Sequence, residues 1–569
     1  MNKRAVILST IIAFGFVLVL VRLADIMLLN HERLSRAARL QQVVSRDIEV
    51  ARGTIYDRRG RELAVNVETE SLYCEPKNMD APGKAAAMIS KLTAIEHKTL
   101  LKTFSSGRGF TWIRRKLDPD VAGHIKRLEL EGIGFKTELQ RFYPEGRLMS
   151  HVVGLVGIDN QPLEAVELRY DDTLRKPGGM VMVLRDASGM QISEGMDTQA
   201  RGNSIVLTVD SGLQYIVEEE LQEAMLKWNA SNAVAVMMNP YTGEILAMSN
   251  RPTYDPNSPA ESSSQMRRNG AVADLYEPGS TFKLVMAAAA IEAGAVRPED
   301  RFDCSKGSIK VGKWTIKDSH RQGVLSFKEV VQKSSNVGTI MIGLELGRNK
   351  MVRQAENFGF GEKTGIDLPG EAKGWITRES PSEVATASLS IGYGVAVTPL
   401  QVLRAYSAIA NGGVLVTPHV VSEIRTPEGY PMIELKPDAG KRAVSAKTAA
   451  ALKEILMAVT EQDGTAFEAA VDGNRVAGKT GTAVMRDGNS GGYSKGKYAS
   501  SFVGFVPAED PKMALIVVIY DPKGGYYGGL VAAPVFKNIA EKSLAYLNVP
   551  RDDSVEQNIL TVRAEGSRQ

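Results

Sequence analysis

Cysteine is scarce: Cys74 and Cys304 are the only two in 569 residues. A disulfide framework is excluded, a cysteine-based metal site is unsupported, and the two read as buried free thiols in different domains. An excess of one charge is also missing. The 69 Lys and Arg face 66 Asp and Glu, a net charge of +3, which gives no sign of a nucleic-acid partner. There is no second run long and apolar enough to cross a membrane. There is no internal repeat, so nothing suggests a repeat array.

One apolar run is present. After Lys3 and Arg4, residues 5–21 carry no charge, and the pattern continues through Leu23, Ile26, Met27, Leu28 and Leu29. A spanning helix needs about 20 such residues, and Arg22 can snorkel to the interface. No small-x-small cleavage site follows, which favours an uncleaved anchor over a signal peptide. Lys3 and Arg4 then place the N-terminus in the cytoplasm and the bulk of the chain outside it. The apolar fraction of 43% and charged fraction of 24% are those of globular protein. The length calls for two or three domains.

Composition divides the chain into an anchor at 1–29, a membrane-proximal stem and β-rich pedestal at 30–204, a large domain at 205–547, and a polar, disordered tail at 548–569. The pedestal is rich in short β-like runs, with one helical stretch near 118–130. In the large domain Asp210 is placed to cap a helix carrying Leu213, Ile216, Val217, Leu221, Met225 and Trp228 on one face. "AVAVMM", "EILAMS", "KTGTAV", "SSFVGFV" and "ALIVVIY" read as strands, with a last helix over 533–546. The fold class expected is α+β, with helices packed on an antiparallel sheet.

Within that frame "EPGSTFK" places Ser280 and Lys283 one turn apart at the head of "STFKLVMAAAAIEAG", a buried helix that Gly294 can cap. The helix dipole there favours developing negative charge, and a buried lysine is costly without partners. Taken alone, the stretch is equally well an N-cap serine with a snorkelling lysine. A second S-x-x-K, Ser494 with Lys497, lies in a glycine-rich loop with no helix to fix it. In the same loop "GNSGG" (488–492) matches the nucleophile elbow but lacks its strand and helix.

Two further elements bear on Ser280. A capping box, Ser326 with Glu329, opens a helix, and Ser334, Ser335 and Asn336 stand between it and the next one. Such residues either line a cleft or cap helix ends. "GKTGTA" places Lys479, Thr480, Gly481 and Thr482 at the start of a strand, whereas the "KTG" at 363–365 enters a turn. "GNRVAGKT" (473–480) matches the phosphate-loop pattern, but Gly481 and "AVMRDGNSGG" forbid the helix that loop requires.

The set S-x-x-K, S-x-N, K-T-G in this order resembles that of penicillin-binding proteins and serine β-lactamases. Over nearly its whole length the chain resembles the class B penicillin-binding proteins. The likeness extends through "RGTIYDRRGRELA" (52–64), "RFYPEGRLMSHVVGLVG" (141–157), "NPYTGEILAM" (239–248), "GYGVAVTPLQ" (392–401) and "KTGTA". The first two belong to a non-catalytic pedestal that β-lactamases lack. No glycosyltransferase domain is seen. Asparagine in "SSNVG" points to the division-specific branch rather than the elongation-specific one.

The resemblance implies a peptidoglycan D,D-transpeptidase without cofactor or metal. Ser280 would be the nucleophile and Lys283 its base, lowered by burial and by nearby Lys479. Ser334 would shuttle a proton and Asn336 would hold the peptide amide. Lys479, Thr480 and Thr482, in the stretch with Gly481, would bind the terminal carboxylate. The backbone N–H groups of Ser280 and Thr482 would form the oxyanion hole. Implied partners are stem peptides (D-Ala-D-Ala donor, amine acceptor), β-lactams as inhibitors, the membrane, a partner glycosyltransferase and other division proteins, with the bulk on the extracytoplasmic face of the inner membrane. An elongation-specific transpeptidase or a D,D-carboxypeptidase, then a β-lactamase or penicillin sensor and a non-catalytic division scaffold, are the alternatives. No E-x-x-L-N stretch of class A lactamases precedes the third motif. His320 reads as a packing or surface residue.

Overall fold

The computed structural model describes residues 3–29, 43–46, 51–175, 181–184, 201–378, 382–436, 440–486 and 492–551. Contacts divide the chain into two compact units. The smaller unit holds the helix Lys3–Ala24, continued by one π-turn at Asp25–Leu29, and a two-stranded antiparallel pair of Val43–Arg46 with Val181–Leu184. Residues 6–27 form the candidate span, with a mean hydropathy of 2.6. Arg22 forms an ion pair with Asp25 at 2.7 Å. Most of the expected stem, the "GNSGG" match except Gly492, and the tail from 552 lie outside the described residues.

The larger unit contains residues 52–174 and everything described after 202. Its centre is a five-stranded antiparallel sheet in the order Ala477–Arg486, Tyr493–Val506, Met513–Tyr520, Asn232–Met238, Ile245–Arg251. Every residue of Met513–Tyr520 is buried because both faces are covered. Ala233, Ala235 and Met237 pack on one side with Leu213, Val217 and Phe536, from the helices Ser211–Trp228 and Ala533–Tyr546. Val234, Val236 and Met238 face the other side with Leu284, Leu403 and Leu452, from the helices Lys283–Glu292, Pro399–Ala410 and Ala446–Ala458. The period-2 alternation thus sorts one strand's side chains into two cores. Asp210 caps Ser211–Trp228 as expected, accepting from the Gly212 and Leu213 N–H groups.

Residues 52–174 differ from the sequence expectation in two respects. The short β-like runs merge into the long strand Glu62–Cys74, paired with Ile133–Phe142 and Thr111–Leu117. Besides the helix Pro119–Lys126 there are Pro82–Thr93 and His97–Phe104, the first opened by a proline and rich in alanine. Cys74 is buried among Ala86, Ile89 and Leu100, and Cys304 is buried too; both are free thiols.

The stretches 52–64 and 141–157 meet at a buried carboxylate. Arg52 and Arg141 bind the two oxygens of Glu167, at 2.8 and 2.7 Å, and Arg52 also binds Asp171. Asp57, from the "YDRRG" turn, accepts from the Arg59 and Arg61 N–H groups. Its other oxygen accepts from the Ser211 hydroxyl at 2.7 Å, at the head of the next helix. A second sheet runs through this region in the order Pro431–Glu434, Val421–Arg425, Ser204–Leu207, Ile55–Tyr56, Glu62–Cys74, Thr111–Leu117. The boundary expected at 204/205 falls inside its strand Ser204–Leu207, which pairs in parallel with Ile55–Tyr56.

Candidate active site

Ser280 does not cap an α-helix. Gly279–Phe282 is a 3-10 turn, and the α-helix begins at Lys283 and ends at Glu292. Gly294, at φ +61°, closes it as expected. The turn is held from three sides. Gly279 N–H donates to the Gly392 carbonyl, Tyr276 bridges to Val397, and the Tyr406 hydroxyl donates to the Thr281 carbonyl at 2.9 Å. The stretch 392–401 thereby acquires a structural task. Gly392, at φ +82°, lies so close to the turn that a Cβ would stand 2.0 Å from the Gly279 carbonyl oxygen.

The second motif follows the helix Phe327–Gln332, whose capping box of Ser326 and Glu329 is formed. Ser335 caps the next helix, Asn336–Leu346. Between them Ser334 takes φ +54°, a left-handed conformation that is uncommon for a residue with a side chain. Its carbonyl and hydroxyl both accept from the Lys283 amine, at 2.6 and 3.2 Å. The Asn336 Oδ1 accepts from the same amine at 2.9 Å, while its Nδ2 donates to the Lys317 carbonyl at 3.0 Å. Lys283 thus joins the first two motifs. The Ser280 hydroxyl has no hydrogen-bond partner among the described residues.

The third motif lies on Ala477–Arg486, the edge strand of the sheet, with no further strand beyond it among the described residues. Gly481 permits a close approach: a Cβ there would meet Ser501 Oγ at 2.3 Å and Thr281 Cγ2 at 2.9 Å. The nucleophile turn can therefore lie against the strand. Lys479 is fully buried, its amine 3.4 Å from both the carbonyl and hydroxyl oxygens of Thr480. Thr480 bonds Thr465, and Thr482 Oγ1 accepts from Gly528 N–H. Ser280, Ser334, Asn336, Thr480 and Thr482 all line one open cavity of about 690 Å³.

Burial pushes the Lys283 amine down from 10.5 to about 7, with the Asp318 carboxylate partly offsetting it. Burial, and then the Lys283 charge, push Lys479 well below its ordinary value. This corrects one expectation. Burial rather than Lys479 lowers Lys283, while the Lys283 charge adds to the burial that lowers Lys479.

Asp318 was missed in the sequence. Its carboxylate accepts from the Ser335 hydroxyl at 2.8 Å and the Val337 N–H at 3.0 Å, and it also takes the Asn336 N–H. It fixes the second motif at the head of its helix and adds negative charge near Lys283. An acid 18 residues from Asn336 has no local signature that would single it out. Thr465 and half-exposed Tyr527, both in the cavity wall, were missed likewise.

The rival motifs do not assemble. Ser494 and Lys497 belong to the strand Tyr493–Val506 rather than a loop, where residues three apart face opposite ways. Lys363 and Thr364 enter a turn in which the Glu371 carboxylate takes the Thr364 N–H and hydroxyl, both at 2.5 Å. After Lys479 comes a strand, not the helix of a phosphate loop. His320 is exposed, as expected of a surface residue, yet it stands in the cavity wall.

Comparison with known proteins agrees with this arrangement. Residues 233–541 match the model of the penicillin-binding protein transpeptidase domain, and residues 47–207 match that of the penicillin-binding protein dimerisation domain. The chain is 37% identical over 519 residues to the probable peptidoglycan D,D-transpeptidase PenA of Neisseria meningitidis, covering 89% of this chain and 86% of that one. It is 32% identical to the peptidoglycan D,D-transpeptidase FtsI of Escherichia coli, covering 96% and 92%. Among solved structures, penicillin-binding protein 3 of Mycobacterium tuberculosis in complex with aztreonam superposes with a TM-score of 0.69 at 30% identity, covering 88% of this chain and 97% of that one.

Proposed function

Because the chain belongs to the class B penicillin-binding proteins, we propose that it is a division-type peptidoglycan D,D-transpeptidase whose nucleophile is Ser280. The observation that carries this assignment is the Lys283 amine, buried, lowered to about 7 and shared between Ser334 and Asn336. At neutral pH much of it is unprotonated and able to act as a base.

In this reading Ser280 Oγ attacks the carbonyl of the penultimate D-Ala of a stem peptide and its proton passes to Lys283. Backbone N–H groups of Ser280 and Thr482 receive the oxyanion, each such donor being worth about 2.7–4 kcal/mol. The C–N bond breaks as the proton reaches the leaving D-Ala amine through Ser334, and an ester remains on Ser280. The amine of a second stem attacks that ester and loses a proton to Lys283, which returns it to Ser280 Oγ as the Oγ–C bond breaks, and the acyl group leaves on the amine as the new crosslink. Asn336 orients the peptide amide. Lys479, Thr480 and Thr482 take the terminal carboxylate, which supplies the counter-charge that a protonated Lys479 lacks. Residues 30–204 would serve as pedestal and 205–547 as the catalytic domain. The N-terminal helix anchors the chain to a membrane. We place the N-terminus in the cytoplasm and the catalytic residues beyond the inner membrane, beside a partner glycosyltransferase of the division machinery.

The test is labelling with a fluorescent penicillin, followed by mass spectrometry of the labelled peptide, with Ser280→Ala and Ser494→Ala beside the parent. A stable adduct on Ser280, lost only in Ser280→Ala, is expected. No adduct on folded protein would sink the assignment, and rapid turnover of the penicillin would replace it with a lactamase.

A further inference from the structure

The cleft wall continues into a strongly basic hairpin that the reaction as described does not use. Ser308–Val311 pairs antiparallel with Trp314–Lys317, Val311 lying opposite Trp314 across the turn. Ile309, Val311 and Ile316 pack inward against Ile340 and Ala387. Alternation therefore turns Lys310 and Lys317 outward, on diagonal positions about 7–8 Å apart. Lys306 before the hairpin, Lys313 in its turn and Arg321 beyond it are exposed as well. Trp314, which by the same alternation shares the face of Val311 and Ile316 rather than that of the lysines, is 67% exposed at the turn end of the hairpin. None of the five cations joins an ion pair among the described residues. Two acids lie near. Asp303 is a neighbour of Lys306, and Asp318 is turned inward to Ser335, Asn336 and Val337.

The hairpin is continuous with the site. The Lys317 carbonyl holds Asn336, and Ser319 and His320, immediately beyond, line the cavity that contains Ser280. A polymer with one side branch at Ser280 has to leave the cleft past some part of this rim. Under the transpeptidase reading, on which this inference rests, that polymer is a glycan strand whose stem peptides end in carboxylates. It is a regular polyanion, and unpaired cations spaced along the exit complement it.

We propose that the outer face of the hairpin 308–317, with Lys306 and Arg321, is a subsite for the anionic glycan strand. It holds the carboxylates of neighbouring stems while one stem occupies the cleft. A small penicillin fills the cleft alone and does not reach it, so acylation by penicillin is independent of these charges.

The test uses the full chain in detergent. Un-crosslinked glycan strands bearing pentapeptide stems are bound to Ser280→Ala protein, which cannot turn them over, with and without the joint change Lys306→Gln, Lys310→Gln and Lys313→Gln. The same three changes in the Ser280 chain are assayed with fluorescent penicillin. Strand binding should weaken about tenfold at low salt and penicillin acylation should not change. The difference should close as salt is raised toward about 1 M, where screening reaches ~3 Å. Arginine at the three positions should restore binding. A matched loss of three exposed charges elsewhere, Lys91→Gln, Lys98→Gln and Lys102→Gln, should leave it intact. Strand binding that survives the hairpin changes, or falls equally in the matched control, overturns the proposal. So does a loss confined to phosphatidylglycerol vesicles, which would make the face a lipid-binding one. Failure of the parent to be labelled by penicillin would instead overturn the transpeptidase reading, by a separate readout.

Discussion

Lys283→Met removes an ammonium that the fold holds at a loss, and proton linkage fixes how that loss varies with pH. The amine titrates at about 7 in the folded chain and near 10.5 when free, burial being the main cause. Between those values the unfolded chain binds one more proton than the folded one, so stability rises with pH by about 1.36 kcal/mol per pH unit. Below about pH 7 both states are protonated and the penalty is present in full, about 5 kcal/mol to order of magnitude. Above 10.5 both are neutral and it is gone. Methionine keeps much of the volume and never carries the charge. The parent should therefore gain about 5 kcal/mol relative to Lys283→Met between pH 6.5 and 10.5. The lost hydrogen bonds to Ser334 and Asn336, about 1 kcal/mol each, offset the whole curve without changing its slope. Buried Lys479 is present in both proteins, so most of its own effect cancels. Denaturant midpoints followed by tryptophan fluorescence over this range measure the difference. A difference flat in pH would refute the reasoning, because Lys283 would then titrate alike in both states and could not be the base at neutral pH.

Acylation of the parent by penicillin should rise with pH, reach half its maximum near pH 7, and fall about tenfold for each pH unit well below that. A rate constant flat from pH 5 to 8 would remove Lys283 from the base's role. Asp318→Asn withdraws the charge that holds the Lys283 value up. The half-point should move to lower pH while the plateau drops through loss of the Ser335 and Asn336 contacts, and an unmoved half-point would leave Asp318 a purely structural part. Gly481→Ala forces a methyl to within 2.3 Å of Ser501 Oγ and against the nucleophile turn. Acylation should fall about 100-fold with the circular dichroism spectrum retained, as a misplaced nucleophile requires. Asp57→Ala strips the Ser211 hydroxyl of its acceptor and breaks the "YDRRG" turn. A loss of about 3 kcal/mol in thermal or denaturant stability is expected, and a loss below ~0.5 kcal/mol would contradict it.

What could be read in the sequence was what is local. The Ser326–Glu329 box, the Asp210 cap and the strands around 232–251 and 513–520 each rest on contacts within a few residues or on short continuous apolar runs. The second "KTG" could be preferred over the first because the strand it opens was visible. The nucleophile turn looks locally like an α-helix start, but its geometry is imposed from Gly392 and Gly481, more than 100 residues away. Asp318 was invisible for the same reason. The helices at 82–93 and 97–104 are amphipathic, but each is short and lies in a segment dominated by β signals. The glycines around Ser494 carry the signature of a loop, whereas pairing of its strand with Ala477–Arg486 decides otherwise.

The strand Ser204–Leu207 sets a limit on how the chain can be shortened. It is flanked by Val421–Arg425 on one side and by Ile55–Tyr56 on the other. A fragment starting at Asn203 would keep Ser280, Lys283, Ser334 and Lys479, yet leave that second edge bare, with its N–H and C=O groups free to recruit a strand from another molecule. The same cut deprives Ser211 of the Asp57 carboxylate. A recombinant catalytic fragment should therefore be sticky unless residues 52–64 are retained or supplied as a peptide, and solubility on adding that peptide would be the practical sign that the gap had been filled.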